Sequence, residues 1–133
     1  MKSILSVLLC CVMNLPQEFN EKRIIVISAS EINSSIKKQI GLLKKESLKL
    51  EERKLAVFTL IDDEVTPIFN ASKASESFVE KTKNRYRSDS EFKMHLIGLD
   101  QGIKRSFKDL ILPKDIFTIV DSMPMRQTEM KKN

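Results

Sequence analysis

FKMHLIGLDQGIKRSF, residues 92–107, and LPKDIFTIVDSMPMRQTEMKKN, residues 112–133, are separated only by KDLI, and together they decide the architecture of this chain. In the first block Phe92, Met94 and Leu96 alternate with Lys93, His95 and Ile97. That imperfect period of two predicts a strand with one face turned to a core. Asp100-Gln101-Gly102 follows as a short loop, with Gly102 expected where the backbone needs a positive φ, and Ile103 to Phe107 returns as the antiparallel partner. Pro113 suits the first turn of a helix, where a missing N–H costs nothing, and Asp115 sits where the helix dipole favours negative charge. Ile116, Ile119, Val120 and Met123 form the apolar stripe of that helix up to an interruption at Pro124.

Working back toward the start, Arg23 to Ala29 (RIIVISA) is a β-branched run without polar alternation. Such a run predicts a strand covered on both faces, as in parallel sheets. Ser30 to Ser35 offers helix caps, and Ile36, Ile40, Leu43 and Leu50 recur at helical spacing with Ser47 filling the missing step. A helix from about Asn33 to Arg53, with a bend, is expected. Leu55 to Ile61 (LAVFTLI) reads as a second buried strand, parallel to the first because a helical crossover joins them. Asp62 to Pro67 (DDEVTP) reads as a loop, and Ser72 to Arg87 as a helix resting on Phe78, Val79 and the lack of breakers. The order β-α-β-α-β-β-α predicts an α/β, thioredoxin-like fold with a central mixed sheet and a C-terminal helix. Residues 20–133 are expected to form this one domain.

A chain of 133 residues, 41% of them hydrophobic, is long enough to bury roughly two thirds of its unfolded surface without metal or disulfide staples. The formal charge is +5, from 23 basic and 18 acidic residues. The bases are interleaved with acids, as in KKESLKLEERK from Lys44 to Lys54, which is the pattern of a solvated helix face. Nucleic-acid binding is therefore not expected, since a binder gathers its cations on one surface.

Met1-Lys2 followed by ILSVLLCCVM, Ile4 to Met13, has the positive start and the ten-residue apolar run of a signal peptide. The run is too short to span a bilayer. Residues 1–17 are expected to be that leader, with an uncleaved anchor or a buried strand as the alternatives. Export to the periplasm or the extracellular space follows, with no stable membrane span once the leader is removed. Both cysteines, Cys10 and Cys11, lie inside the leader, so the mature chain would carry no thiol.

A dithiol mechanism needs a low-pKa thiolate at the start of the helix after the first strand, with a second cysteine three residues on. Here Ser28-Ala29-Ser30-Glu31-Ile32-Asn33-Ser34-Ser35 occupies that place. Serine nucleophiles would need a base, and the single histidine, His95, stands on a later strand without a glycine elbow near it. Asp62 and Asp63 end the second strand, where open α/β folds often bind ligands, but they lack the spacing of a cation loop. No metal and no cofactor are expected.

Four segments resemble the family known as domain of unknown function 4174, also described as P-DUDES. They are Arg23–Ser28 (RIIVIS), Leu50–Leu60 (LEERKLAVFTL), Leu96–Lys104 (LIGLDQGIK) and Ile116–Met130 (IFTIVDSMPMRQTEM). Where that family's hairpin typically reads Gly-Lys-Asp-Gly-Gly, this chain has Gly98-Leu99-Asp100-Gln101-Gly102. Its members include short exported bacterial proteins and domains repeated in animal extracellular proteins of the sushi-repeat-containing and coiled-coil-domain-containing groups. The resemblance implies a thioredoxin-like fold more firmly than any reaction.

Two functions are expected in order. The first is an exported, redox-inactive binding module for a protein or an envelope or matrix component, with Arg126, Met125, Asp62 and Asp63 as candidate contacts. The second is a cysteine-independent reaction at the strand ends, using residues 28–35, Asp62, Asp63 and His95.

Overall fold

In the computed structural model, which describes residues 19–132, β1 (Arg23–Ala29) lies parallel to β2 (Leu55–Ile61), with Ile25 beside Val57 and Ile27 beside Thr59. The expected leader, with Cys10 and Cys11, lies outside the described residues. On the other side of β1 runs β4 (Lys93–Ile97), antiparallel, followed by β5 (Ile103–Phe107), also antiparallel. β3 (Glu64–Phe69) flanks β2, so the sheet order is β3-β2-β1-β4-β5. The mixed sheet follows the expectation, and its four inner-to-edge strands β2-β1-β4-β5 are compatible with a thioredoxin-like arrangement.

Helices cover both faces, which is why β1 needs no polar alternation. On one face α1 (Ser34–Lys44), α2 (Ser47–Glu52) and α4 (Pro113–Asp121) bring Ile36, Leu43, Leu50, Ile116 and Val120 against Ile25, Ile27, Val57 and Met94. On the other, α3 (Lys73–Thr82) and the 3-10 turn Lys83–Arg85 bring Val79 and Tyr86 against Ile24, Val26, Phe58 and Ile97. Ile24, Ile25, Val26 and Ile27 are 0% exposed. Each such side chain contributes roughly 1.5–3 kcal/mol by leaving water.

Three expectations are corrected. Glu64–Phe69 is a strand, not a loop: Asp62 and Asp63 make a two-residue turn, with Asp62 at φ 57, and fold the chain back along β2. The strand tolerates Pro67 because it is the sheet edge, with a bulge between its Pro67 and Phe69 pairings. The long helix expected over 33–53 is two, broken at Lys45–Glu46, so that both Leu43 and Leu50 reach the core. In the β4–β5 loop the positive φ falls on Gln101, at 72°, and not on Gly102. There the Asp100 carboxylate accepts the Gly102 N–H at 3.1 Å and fixes the turn without a left-handed glycine.

The chain does not end at Pro124. Proline occupies the first position of a further helix, α5 (Pro124–Lys132), which turns away from α4 after Met123. Among the described residues no helix is long and apolar enough to cross a membrane.

Candidate functional site

α5 (PMRQTEMKK) has no apolar stripe, so grease does not dock it. Charge does. Arg23, the first residue of β1 and 1% exposed, donates to both carboxylate oxygens of Glu129 at 3.2 and 3.1 Å and to the Arg53 carbonyl at 2.9 Å. Arg126, 2% exposed, donates from Nε to Asp121 at 3.0 Å and from a terminal nitrogen to Glu52 at 3.2 Å. Arg53 grips both oxygens of Asp121 at 3.0 and 2.9 Å while lying 4.4 Å over the Phe117 ring.

Three arginines and three carboxylates thus tie α5 to α2, α4 and β1. Burial disfavours the charge on Asp121, but the hydrogen bonds from Arg53 and Arg126 outweigh it and hold its pKa below the ordinary carboxylate range. The same balance, with Arg23 as the main partner, depresses Glu129. For Arg126 burial works against the charge, and the bonds to Asp121 and Glu52 reverse that effect and raise its pKa.

The docked helix presents Met123, Pro124 and Met125 beside the β4–β5 hairpin. Between them is a cleft of about 240 Å³, lined by Gly98, Leu99, Asp100, Lys104, Met123 and Met125, with Arg23 at its inner side. Lys104 and Asp100 are paired at 2.5 Å on its rim, and the hydrogen bonds that Asp100 accepts from Lys104 and from the Gly102 N–H hold its pKa below the ordinary carboxylate range. At Gly98 an added Cβ would meet Lys104 Cε at 2.6 Å, so glycine lets the lysine fold over the hairpin. The hairpin is anchored in turn by Asn20, whose N–H donates to the Leu99 carbonyl at 2.7 Å. Met125 is 45% exposed at this cleft, whereas Arg126 faces inward.

The candidates at the other end of the sheet are dispersed. Asp62 and Asp63 line an open acidic hollow with Glu64 and Glu80, and Asp63 is paired with Lys83 and Arg87. Asn33 caps α1 through the Ile36 N–H at 3.0 Å and donates to the Glu91 carbonyl at 2.7 Å, joining the β1–α1 turn to the segment before β4. His95, 4% exposed, shares a 2.8 Å hydrogen bond with Ser106 and lies 5.6 Å from the Tyr86 ring. It has no hydrogen bond to Ser28 or to either aspartate. Burial, followed by the charge of Lys93, lowers its pKa, so the ring is neutral at neutral pH. Tyr86 is raised by burial and holds Thr82 at 2.8 Å. Among the described residues no three His, Cys, Asp or Glu side chains gather as a metal site.

Met125 is half-exposed at this cleft, and no local pattern in the sequence joins it to Leu99, Asp100, Lys104 and Arg23. The one signal available was that these residues fall inside the segments that carry the family resemblance.

Fold and cleft together define a mixed α/β domain whose described residues contain no cysteine. The chain belongs to the family described as Domain of unknown function (DUF4174), which matches residues 14–129. No curated protein and no solved structure matches it.

Proposed function

We propose that this chain is an exported, redox-inactive domain that binds a protein or an envelope or matrix component through the cleft between the β4–β5 hairpin and the α4–α5 corner. The supporting observation is convergence: Arg23, Gly98–Lys104 and Met123–Met125 come from three separate segments of family-like sequence and line one hollow. Methionine side chains adapt to varied apolar partners, and the ion network beneath them makes the platform rigid. In this reading Met125 is a direct contact, Arg126 is its positioning residue, and Asp62 and Asp63 lie outside the surface. The absence of cysteine after Cys11 supports a function without thiol chemistry.

Retention of the protein on immobilised envelope or matrix components tests this. Met125→Glu is expected to lose retention by about tenfold, the worth of one buried contact of about 1.4 kcal/mol. Leu48→Glu, at a residue 80% exposed on α2, is expected to keep it. Equal retention of both variants, or substrate turnover by a protein that binds nothing, contradicts the reading.

A further inference from the structure

The cleft between the β4–β5 hairpin and the α4–α5 corner holds a donor that the fold leaves unused. Arg23, at its inner side, is 1% exposed and spends its terminal nitrogens on Glu129 and on the Arg53 carbonyl. Its Nε–H lies on another edge of the planar group, is shut off from water, and has no acceptor among the described residues. The two neighbouring arginines supply the contrast, since Arg53 and Arg126 each give their Nε–H to Asp121 at 3.0 Å. Buried polar atoms are nearly always paired, and those of a charged group cost the most when left bare. An unmet donor on a residue that lines a cleft asks for an acceptor from outside.

Three features of the cleft fix what carries that acceptor. Its volume of about 240 Å³ is below the roughly 300–1,000 Å³ of pockets for cofactors and drug-sized ligands, so it admits one side chain with the backbone beside it. Leu99, Met123, Pro124 and Met125 make its walls apolar. The charge of Arg23 is already met by both oxygens of Glu129, and Lys104 is taken by Asp100. A second carboxylate inside would find no free cation and would face two like charges. The acceptor is therefore an uncharged oxygen next to an apolar group, which is what a peptide carbonyl beside an aliphatic, methionine or aromatic side chain offers. The walls can part to admit it, because methionine turns about three bonds and the flexible Lys104 stem lies over Gly98.

We propose that the cleft receives an extended peptide segment of a partner protein, with an apolar side chain seated between Leu99 and the two methionines and a main-chain carbonyl accepting from the Arg23 Nε–H. The inference rests on the binding role proposed above for this cleft and narrows its partner to a polypeptide.

The test follows the arginine Nε–H and methionine methyl signals by NMR while the protein is titrated with the blocked peptide acetyl-Gly-Gly-Leu-Gly-Gly-amide. Saturable shifts of the Met123 and Met125 methyls are expected together with a downfield shift of the Arg23 Nε proton. The Nε protons of Arg53 and Arg126, already bonded to Asp121, are expected to stay in place. The same peptide with aspartate for leucine is expected to bind about tenfold more weakly. Met125→Ala, at a half-exposed residue, is expected to weaken the leucine peptide by about tenfold as well. Ile32→Ser, at an exposed residue of the separate apolar groove beside α1, is expected to leave binding unchanged. Methyl shifts that saturate while the Arg23 Nε proton stays still overturn the carbonyl assignment. Tighter binding of acetyl-leucine as the free carboxylate overturns the choice of an uncharged acceptor. If no peptide binds but a non-peptide envelope or matrix component moves the Met123 and Met125 methyls, the polypeptide partner is overturned and the binding role of the cleft stands. Methyls that respond to neither defeat that role as well.

Discussion

His95 shows how one residue can be visible in the sequence while its role is not. The alternation of β4 places it on the face away from Met94, but only the fold shows that this face is closed by Tyr86 and that Ser106 is its hydrogen-bond partner. Its folded pKa is depressed below the ordinary 6.5, first by burial and then by Lys93. A neutral ring is therefore favoured by folding. Its contribution to stability is complete above pH 6.5 and is lost as pH falls from there toward the folded pKa. The urea midpoint is expected to drop between about pH 7.5 and about pH 5.5, a window above the ordinary carboxylate values. His95→Gln should flatten that slope. An equal slope in parent and variant would remove His95 as the cause. Arg126 is the opposite case, since its unexplained charge was legible but, of its three carboxylate neighbours at positions 52, 121 and 129, only Glu129 at i,i+3 is within reach of a local helical pattern. Gln101 shows a finer limit: the turn was recognisable, but the Asp100 side chain, not glycine, decides where the left-handed residue falls.

At the scale of elements, legibility follows burial. β1 and β2 stand out because both faces are covered and every residue but Arg23 and Ser28 is apolar or β-branched. β3 hides because it is an edge strand, half exposed, contains Pro67, and is joined by an Asp-Asp turn in place of the usual glycine signal. α5 is the clearest departure from pattern, a helix attached by ion pairs instead of an apolar stripe. Glu129→Gln would remove the countercharge of the nearly buried Arg23 and one of its two acceptor oxygens, leaving an amide oxygen and the Arg53 carbonyl. The expected cost is roughly 2–3 kcal/mol, short of the about 3–5 kcal/mol for a fully buried pair because Glu129 keeps some contact with water. Hydrogen exchange should show α5 amides losing protection while β1 and β2 amides keep theirs. Acid should imitate the substitution. The depressed pKa values of Asp121 and Glu129 mean that their stabilisation is present above their ordinary 3.8 and 4.5 and lost as pH falls below those values. A variant in which α5 stays as protected as in the parent would show that something other than Glu129 holds the helix.

At the scale of the molecule, β1 is the axis. Its first residue, Arg23, anchors the ion network under the Met123–Met125 cleft, and its sixth, Ser28, pairs with Lys93 of β4 at the far end. The sheet order and helix layers were readable from the chain because they follow from hydrophobic runs and crossovers. The cleft was not, because it joins Arg23, the hairpin residues Gly98–Lys104 and Met123–Met125, three segments far apart in the chain, and register decides how they meet. Binding at the hairpin and α4–α5 corner is the central claim, and methionine methyl labelling tests it most directly. Met94, Met123, Met125 and Met130 give four reporters within the described residues, one buried in the core, two lining the cleft and one further along α5. On titration with an envelope or matrix component that retains the protein, the Met123 and Met125 methyls are expected to shift while Met94 and Met130 stay in place. Saturating binding that leaves Met123 and Met125 unmoved would contradict the claim.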